Sequence, residues 1–275
     1  LVVDYLTTRS PAEFAALLAA HSVTVVSQTP SAFYQLAAAV RPRGETSVAS
    51  DELSSSVRYM VFAGEALDFA QVTRWYADRM AGAGRPGPVL VNMYGITETT
   101  VHVSHLELTA ESARTESASV IGRAIPGLGT YVLDTRLAPV PVGVPGEIYV
   151  YGGQLARGYL GRAALSAGRF VADPFGAPGS LMYRTGDIAR WNRGGQLEYA
   201  GRSDSQVQLR GFRIELGEIE SALLRFESVA QATAIVRADD VTGDRLIGYV
   251  VPETGASVDP AALTEFVAET LTAYM

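Results

Sequence analysis

Helices and β-branched strands alternate from Ser10 to Val91, and this alternation restricts the fold more than any other feature of the chain. Ser10-Pro11-Ala12-Glu13 reads as a helix start, a capping box with Pro at the first helical position. Phe14, Leu17, Leu18 and His21 follow at helical spacing. Val23-Thr24-Val25-Val26-Ser27 has the composition of a strand. Thr29-Pro30 opens a second helix with Phe33, Leu36, Ala37 and Val40 on its apolar face, and Val57 to Ala63 predicts a second strand ending in Gly64-Glu65-Ala66. Asp68 caps a helix through Phe69, Val72, Trp75, Tyr76 and Met80, stopped near Gly82 and Gly84, before a third strand at Val89-Leu90-Val91. The pattern predicts a parallel α/β sheet, on which ligands collect beyond the carboxyl ends of the strands. Tips at Ser27, Ala63 and Asn92 are expected to line one crevice. Leu1-Val2-Val3-Asp4 reads as the tail of a buried strand.

After roughly residue 105 the rhythm changes. Val120-Ile121-Gly122, Thr130 to Asp134 and Glu147 to Tyr151 are short strands between Pro/Gly turns, a β-rich layer that is either antiparallel or a small barrel. Leu165 to Phe170 is expected to be a short helix. Gly201-Arg202-Ser203-Asp204 is a polar break, and a separate α+β unit follows. In it, Gln206–Leu209 and Phe212–Ile214 flank a hairpin tip at Arg210-Gly211. Next come a helix over Leu216 to Phe226, strands at Val229–Val236 and Leu246–Val251, and a helix after Asp259-Pro260. Glu215, Glu218 and Glu220 read as the solvated start of the first of these helices. The expected division is 1–203 (sheet to 105, β-rich layer from 106) and 204–275, the latter incomplete.

Composition removes several classes of function. A net charge of −7 disfavours nucleic acid as a partner. There is no cysteine, which excludes thiol catalysis and zinc–thiolate sites, and three His without a carboxylate cluster make no transition-metal site. No run approaches a membrane span and no signal peptide opens the sequence, so a cytoplasmic protein is expected. All 22 basic residues are Arg. Chemistry that needs a lysine must draw it from elsewhere.

The stretch richest in chemistry is Asn92 to Val101, Asn-Met-Tyr-Gly-Ile-Thr-Glu-Thr-Thr-Val. It joins an aromatic that can stack on a base, a Gly that admits close backbone approach, hydroxyls for phosphate, and a carboxylate suited to Mg2+. The residues alone leave a second reading open: a Thr-capped strand-to-helix turn with a surface Glu. Likewise Asp187 is a turn former after Thr-Gly or a ligand carboxylate, Arg202 a surface ion pair or a site residue, and Tyr199 core or site wall.

Taken together, Asn92–Thr100, Gly146–Leu160 (GEIYVYGGQLARGYL), Tyr183–Asp187 with Trp191, and Gly201–Glu220 (GRSDSQVQLRGFRIELGEIE) resemble the adenylation domain of nonribosomal peptide synthetases, within the acyl-adenylate-forming, AMP-binding superfamily. The resemblance implies the adenylate-forming-enzyme fold and a two-step reaction. An amino acid carboxylate attacks the α-phosphorus of ATP, giving aminoacyl-AMP and pyrophosphate, and the phosphopantetheine thiol of a peptidyl carrier domain then takes the aminoacyl group. By resemblance Tyr94 flanks adenine, with the backbone of Asn92, Met93, Gly64, Glu65 and Ala66 nearby. Thr97 contacts the α-phosphate, Glu98 holds Mg2+, Asp187 and Arg202 serve the ribose, and Tyr199 walls the nucleotide. Asp204 matches the hinge, and Arg210-Gly211 would face the pantetheine. Gln208 departs from relatives that carry Lys there, and the Arg157-Gly158-Tyr159 loop reads as structural.

The family's specificity positions fall on Ser27, Val61, Ala63, Met93, Val101 and His102, which imply an uncharged, small-to-medium, Thr-like amino acid. His102 reads equally as a satisfied polar residue at the pocket edge. The resemblance further implies a condensation domain in the same megasynthase. It also implies that the phosphate loop lies before Leu1 and the catalytic lysine beyond Met275, so that this chain is a fragment inactive by itself. An acyl-CoA ligase-like enzyme and a non-catalytic nucleotide-binding module stand as the alternatives.

Overall fold

The structure, a computed structural model, describes residues 2–40, 56–80, 87–115, 119–209, 211–237 and 244–275. Contacts divide the chain into two compact units, Leu1–Ser203 and Asp204–Met275.

The first unit opens with α1 (Tyr5–Arg9) and α2 (Pro11–Ala20), then β1 (Val25–Gln28), α3 (Pro30–Ala39), β2 (Tyr59–Phe62), α4 (Phe69–Met80) and β3 (Val89–Tyr94). Two expectations fail at the start. Val2 is 98% exposed, and Asp4 belongs to no buried strand. Its carboxylate accepts the Thr7 N–H at 3.0 Å and the Thr7 hydroxyl at 2.6 Å, capping α1, for which an Asp with extended backbone is well suited. Helix α2 begins at Pro11 as expected, but Ser10 makes no side-chain cap. That residue also ends α1, its N–H held by the Thr7 carbonyl at 3.1 Å.

Strands β1, β2 and β3 are parallel, with Ser27 beside Val61 and Val61 beside Val91. Alternation sends Val26, Met60, Phe62 and Leu90 into one core with Phe33 and Leu36 of α3 and Val72 and Trp75 of α4. Val25, Ser27 and Tyr59, on the opposite face, are exposed and Val61 is half-buried.

Strand β4 (Ser104–Leu108) turns back antiparallel beside β3, and α5 (Ala110–Thr115) and β5 (Ser119–Ala124) follow. Then come β6 (Leu128–Leu133), β7 (Gly146–Gly152), α6 (Ala163–Arg169), β8 (Phe170–Ala172), β9 (Leu181–Trp191) and β10 (Leu197–Arg202). The strand order β1-β2-β3-β4-β5-β10-β9-β7-β6, with β8 on β9, makes one ten-stranded sheet. The β-rich region is therefore antiparallel, and it prolongs the parallel sheet instead of forming a barrel. Strand β10, last in sequence in this unit, lies between β5 and β9. At Gly122 (φ +79°) an added Cβ would sit 2.0 Å from the His105 carbonyl oxygen, so glycine is what lets β4 and β5 close up.

In the second unit β11 (Gln206–Leu209) and β12 (Phe212–Glu215) form a hairpin, followed by α7 (Leu216–Leu223), the antiparallel pair β13 (Val229–Arg237) and β14 (Arg245–Pro252), and α8 (Pro260–Ala268). Ile214, Ile219, Leu223, Val229 and Leu263 build its core. Glu220 is not a merely solvated helix residue: it accepts the Thr233 hydroxyl and the Ala234 N–H, each at 3.0 Å, and ties α7 to β13. Glu215 is bonded to the Gln206 side-chain amide.

Candidate functional site

Strand β3 runs past Val91, so Asn92, Met93 and Tyr94 are strand residues. Asn92 is buried and donates its side-chain amide to the Val120 carbonyl at 2.7 Å, holding β3 to β5. The loop beyond folds back on itself. Val101 N–H reaches the Ile96 carbonyl at 3.1 Å and Val103 N–H the Tyr94 carbonyl at 2.7 Å. Thr100 and Val101 are consecutive β-branched residues at φ 60° and 69°, a conformation costing about 1–3 kcal/mol each and kept only where surroundings over-determine it. Gly95 is required beneath them, since a Cβ there would lie 2.2 Å from the Val101 oxygen.

This loop exposes Thr97 and Val101 and buries Glu98. Glu98 is thus not the surface residue that a Thr-capped strand-to-helix turn would carry. Its Oε1 accepts the Tyr159 hydroxyl at 2.6 Å, and that hydroxyl lies 2.9 Å from the Tyr183 hydroxyl. Burial first, then the bonds to Glu98 and Tyr183, push the Tyr159 phenol far above its ordinary pKa and keep it a neutral donor.

A second network joins three strands. Tyr94 of β3 donates its hydroxyl to Asp187 Oδ2 at 2.6 Å, and Arg202 of β10 donates to Asp187 Oδ1 at 2.7 Å and to the Thr185 carbonyl at 3.2 Å. The Asp187 N–H is held by the Thr185 hydroxyl at 3.0 Å. The Arg202 and Asp187 side chains are 8% and 4% exposed, so this is neither a surface ion pair nor a turn residue. Burial and the Asp187 charge raise the Tyr94 pKa well above 10, so the phenol stays protonated. The half-buried Tyr199 ring lies 6.3 Å from that of Tyr94. Each Asp187 oxygen thus accepts a donor from this network, and a carboxylate oxygen can accept more than one.

Register places Ser27, Val61 and Met93 on the open face of β1, β2 and β3, and Ala63 follows the end of β2. His102 is half-buried, and its Nδ1 is buried with no hydrogen-bond partner among the described residues. Burial lowers its pKa and favours neutral imidazole. Gly64 (φ +87°) and Ala66 are exposed, whereas the Glu65 carboxylate accepts the Ser31 N–H at 2.9 Å and the Ser31 hydroxyl at 3.0 Å. That side chain is spent on the start of α3, which fixes the backbone of the 64–66 turn. In the second unit Asp204 is exposed and accepts the Gln206 N–H at 3.3 Å. Leu209 pairs with Phe212 across a two-residue turn containing Gly211 (φ +80°), and Arg210 lies outside the described residues.

Sequence reasoning read the Arg157-Gly158-Tyr159 loop as structural, and it gave no role to Thr185 or to the hydroxyl of Tyr183. For the latter two a signal existed: Tyr183, Thr185 and Asp187 share strand parity, and all three are buried. Among the described residues no group of three or more His, Asp or Glu gathers to hold a metal. One buried carboxylate beside exposed hydroxyls fits Mg2+ that arrives with phosphate oxygens and water. Among the described residues no helix is long and apolar enough to cross a membrane.

The family model of the AMP-binding enzymes matches residues 1–160, and that of the AMP-binding enzyme C-terminal domain matches residues 218–275. The chain belongs to the AMP-binding enzyme family. Among AMP-binding relatives it is 50% identical over 275 residues to the dimodular nonribosomal peptide synthase of Bacillus subtilis (strain 168), covering 100% of this chain and 11% of that protein. The crystal structure of IdnL1 superposes with a TM-score of 0.82 at 31% identity, over 99% of this chain and 52% of that one. PA1221, described as an NRPS protein containing adenylation and PCP domains, superposes with a TM-score of 0.75 at 28% identity, over 92% and 47%. The AMP-binding fold seen here therefore spans about half of these two solved chains.

Proposed function

We propose that the chain is the nucleotide- and substrate-binding part of an adenylation domain, which activates an amino acid with ATP for nonribosomal peptide synthesis, releasing pyrophosphate. The observation that carries this reading is the Tyr94–Asp187–Arg202 network, its two charged side chains buried, beside the Glu98 loop at the carboxyl end of the parallel strands. Arg202 and Tyr94 orient the Asp187 carboxylate to accept the ribose hydroxyls. Tyr94 and Tyr199 offer ring faces to the base, and the backbone of Asn92, Met93, Gly64, Glu65 and Ala66 borders it. Thr97, exposed, donates its hydroxyl to the α-phosphate. Glu98 would hold Mg2+, which neutralises phosphate charge when bound. Positioning and electrostatics of this kind are most of what such a transfer asks of a protein.

Ser27, Val61, Ala63, Met93, Val101 and His102 line the pocket for the side chain of the amino acid. None is acidic and the one imidazole is held neutral, so a neutral, small-to-medium, Thr-like residue fits. The activated acyl group passes to the phosphopantetheine of a peptidyl carrier domain, with Asp204 as the pivot and the hairpin turn at Gly211 serving the pantetheine. A condensation domain in the same cytoplasmic megasynthase would use the product. The sequence has no Lys, so a lysine that bridges carboxylate and phosphate must come from outside these residues.

Amino-acid-dependent ATP–pyrophosphate exchange tests the reading. The chain alone is expected to give background exchange only, and to bind AMP in a titration followed by NMR, with β3 and β9 amides responding. Failure to bind AMP overturns the reading. Preference for Asp, Glu, Lys or Arg in the intact protein overturns the pocket assignment. Preference for acyl acids would place the chain with acyl-CoA ligases. AMP binding without exchange, after a phosphate loop and lysine are supplied, would leave a non-catalytic module.

A further inference from the structure

The segment from Gln154 to Tyr159 grips the Glu98 loop at three points. The Ala156 N–H donates to the Glu98 carbonyl at 2.8 Å. The Gln154 carbonyl accepts the Thr100 hydroxyl at 2.6 Å. The Tyr159 hydroxyl donates to Glu98 Oε1 at 2.6 Å. Tyr159 is itself fixed: its N–H donates to Ser166 Oγ at 2.8 Å, its ring meets Phe170 edge-on at 5.8 Å, and its hydroxyl lies 2.9 Å from that of the fully buried Tyr183. Backbone and carboxylate of Glu98 are thus both located by one short segment. These three bonds set the place and direction of the Glu98 carboxylate, whereas one without them rotates and must be ordered on binding.

We propose that the Gln154–Tyr159 segment is a positioning clamp for Glu98, in which the Tyr159 hydroxyl aims the carboxylate at Mg2+ bound with nucleotide and the Tyr183 hydroxyl aims Tyr159. Tyr159 touches neither metal nor substrate and acts through Glu98. The clamp rests on the proposed function, in which Glu98 is the Mg2+ ligand. It explains why a half-buried Tyr in a Gly-rich turn directs its hydroxyl onto a buried acid.

The test substitutes Tyr159→Phe, which keeps the ring against Phe170 and removes the hydroxyl. ATP binding to the protein is measured by calorimetry in EDTA and across a Mg2+ titration. Partners that orient a metal ligand are worth about 10–100-fold in metal affinity, so the Mg2+ concentration for half-maximal enhancement is expected to rise about tenfold, more than any change in EDTA. Water-proton relaxation with Mn2+ and ATP should show the same displacement, a signature that loss of packing alone would not give. Thr100→Val keeps the β-branched shape while removing the second grip, and is expected to shift the Mg2+ midpoint the same way by less. It decides the question if Tyr159→Phe is poorly folded. A parent protein whose ATP binding ignores Mg2+ overturns the Glu98 assignment and the clamp with it. A parent that responds, with variants that titrate identically, overturns the clamp alone.

Discussion

The two halves of the large sheet treat polar side chains differently. On β1, β2 and β3 one face is closed by helices and the other carries Ser27, exposed, and Val61 and Met93, half-buried. In the antiparallel half Thr185 and Asp187 are buried and bonded, and Arg202 closes over them. Under the proposed function, the contacts every substrate shares are set in a network, and the contacts that choose the substrate stand where replacement disturbs little. Tyr94 is where the halves meet.

Four substitutions test this contrast. Asp187→Ala leaves the Arg202 guanidinium buried without its carboxylate and should cost about 3–5 kcal/mol in urea unfolding. A loss under about 1 kcal/mol, the range of an exposed pair, would mean that the network is not rigid. Gly95→Ala drives a methyl group against the Val101 carbonyl and should cost up to about 3 kcal/mol, with loss of AMP binding as the loop shifts. Tyr94→Phe removes one bond to a charged acceptor, worth about 1.5–3 kcal/mol by the same unfolding measurement, and should weaken AMP binding. Ser27→Ala should stay within about 0.5 kcal/mol in stability while altering amino acid preference in the exchange assay of the intact protein. A large stability change there would erase the contrast.

Much of the fold was legible because its signals are local. β-branched runs and Pro-opened helices name themselves within five residues, and the parallel sheet follows from their alternation. The continuity of the sheet was not legible, since β5 and β10 pair across 75 to 80 residues and nothing in either strand names its partner. The Asp4 cap was hidden by reading a short apolar start as strand. At the site, Asn92–Val101 drew attention by composition and Tyr183–Asp187 by its resemblance to a family motif. The bonds that unite them did not, because a Tyr hydroxyl such as that of Tyr159 is equally at home on a surface, in a core or against an acid. Burial decides between these, and burial is a property of the assembled sheet.

The place of β10 bears on how the molecule is made. Before residues 197–202 are available, β1 to β5 and β6 to β9 share no strand, and each set ends in an unfilled edge. A chain emerging from synthesis would pass through that state, the one most prone to mispairing with another copy. Insertion of six residues then fills both edges and brings Arg202 to Asp187, itself 93 positions from Tyr94. Completion of the large sheet and appearance of the proposed nucleotide site would therefore be a single event, and the ability to bind AMP would report that a newly made chain has passed it.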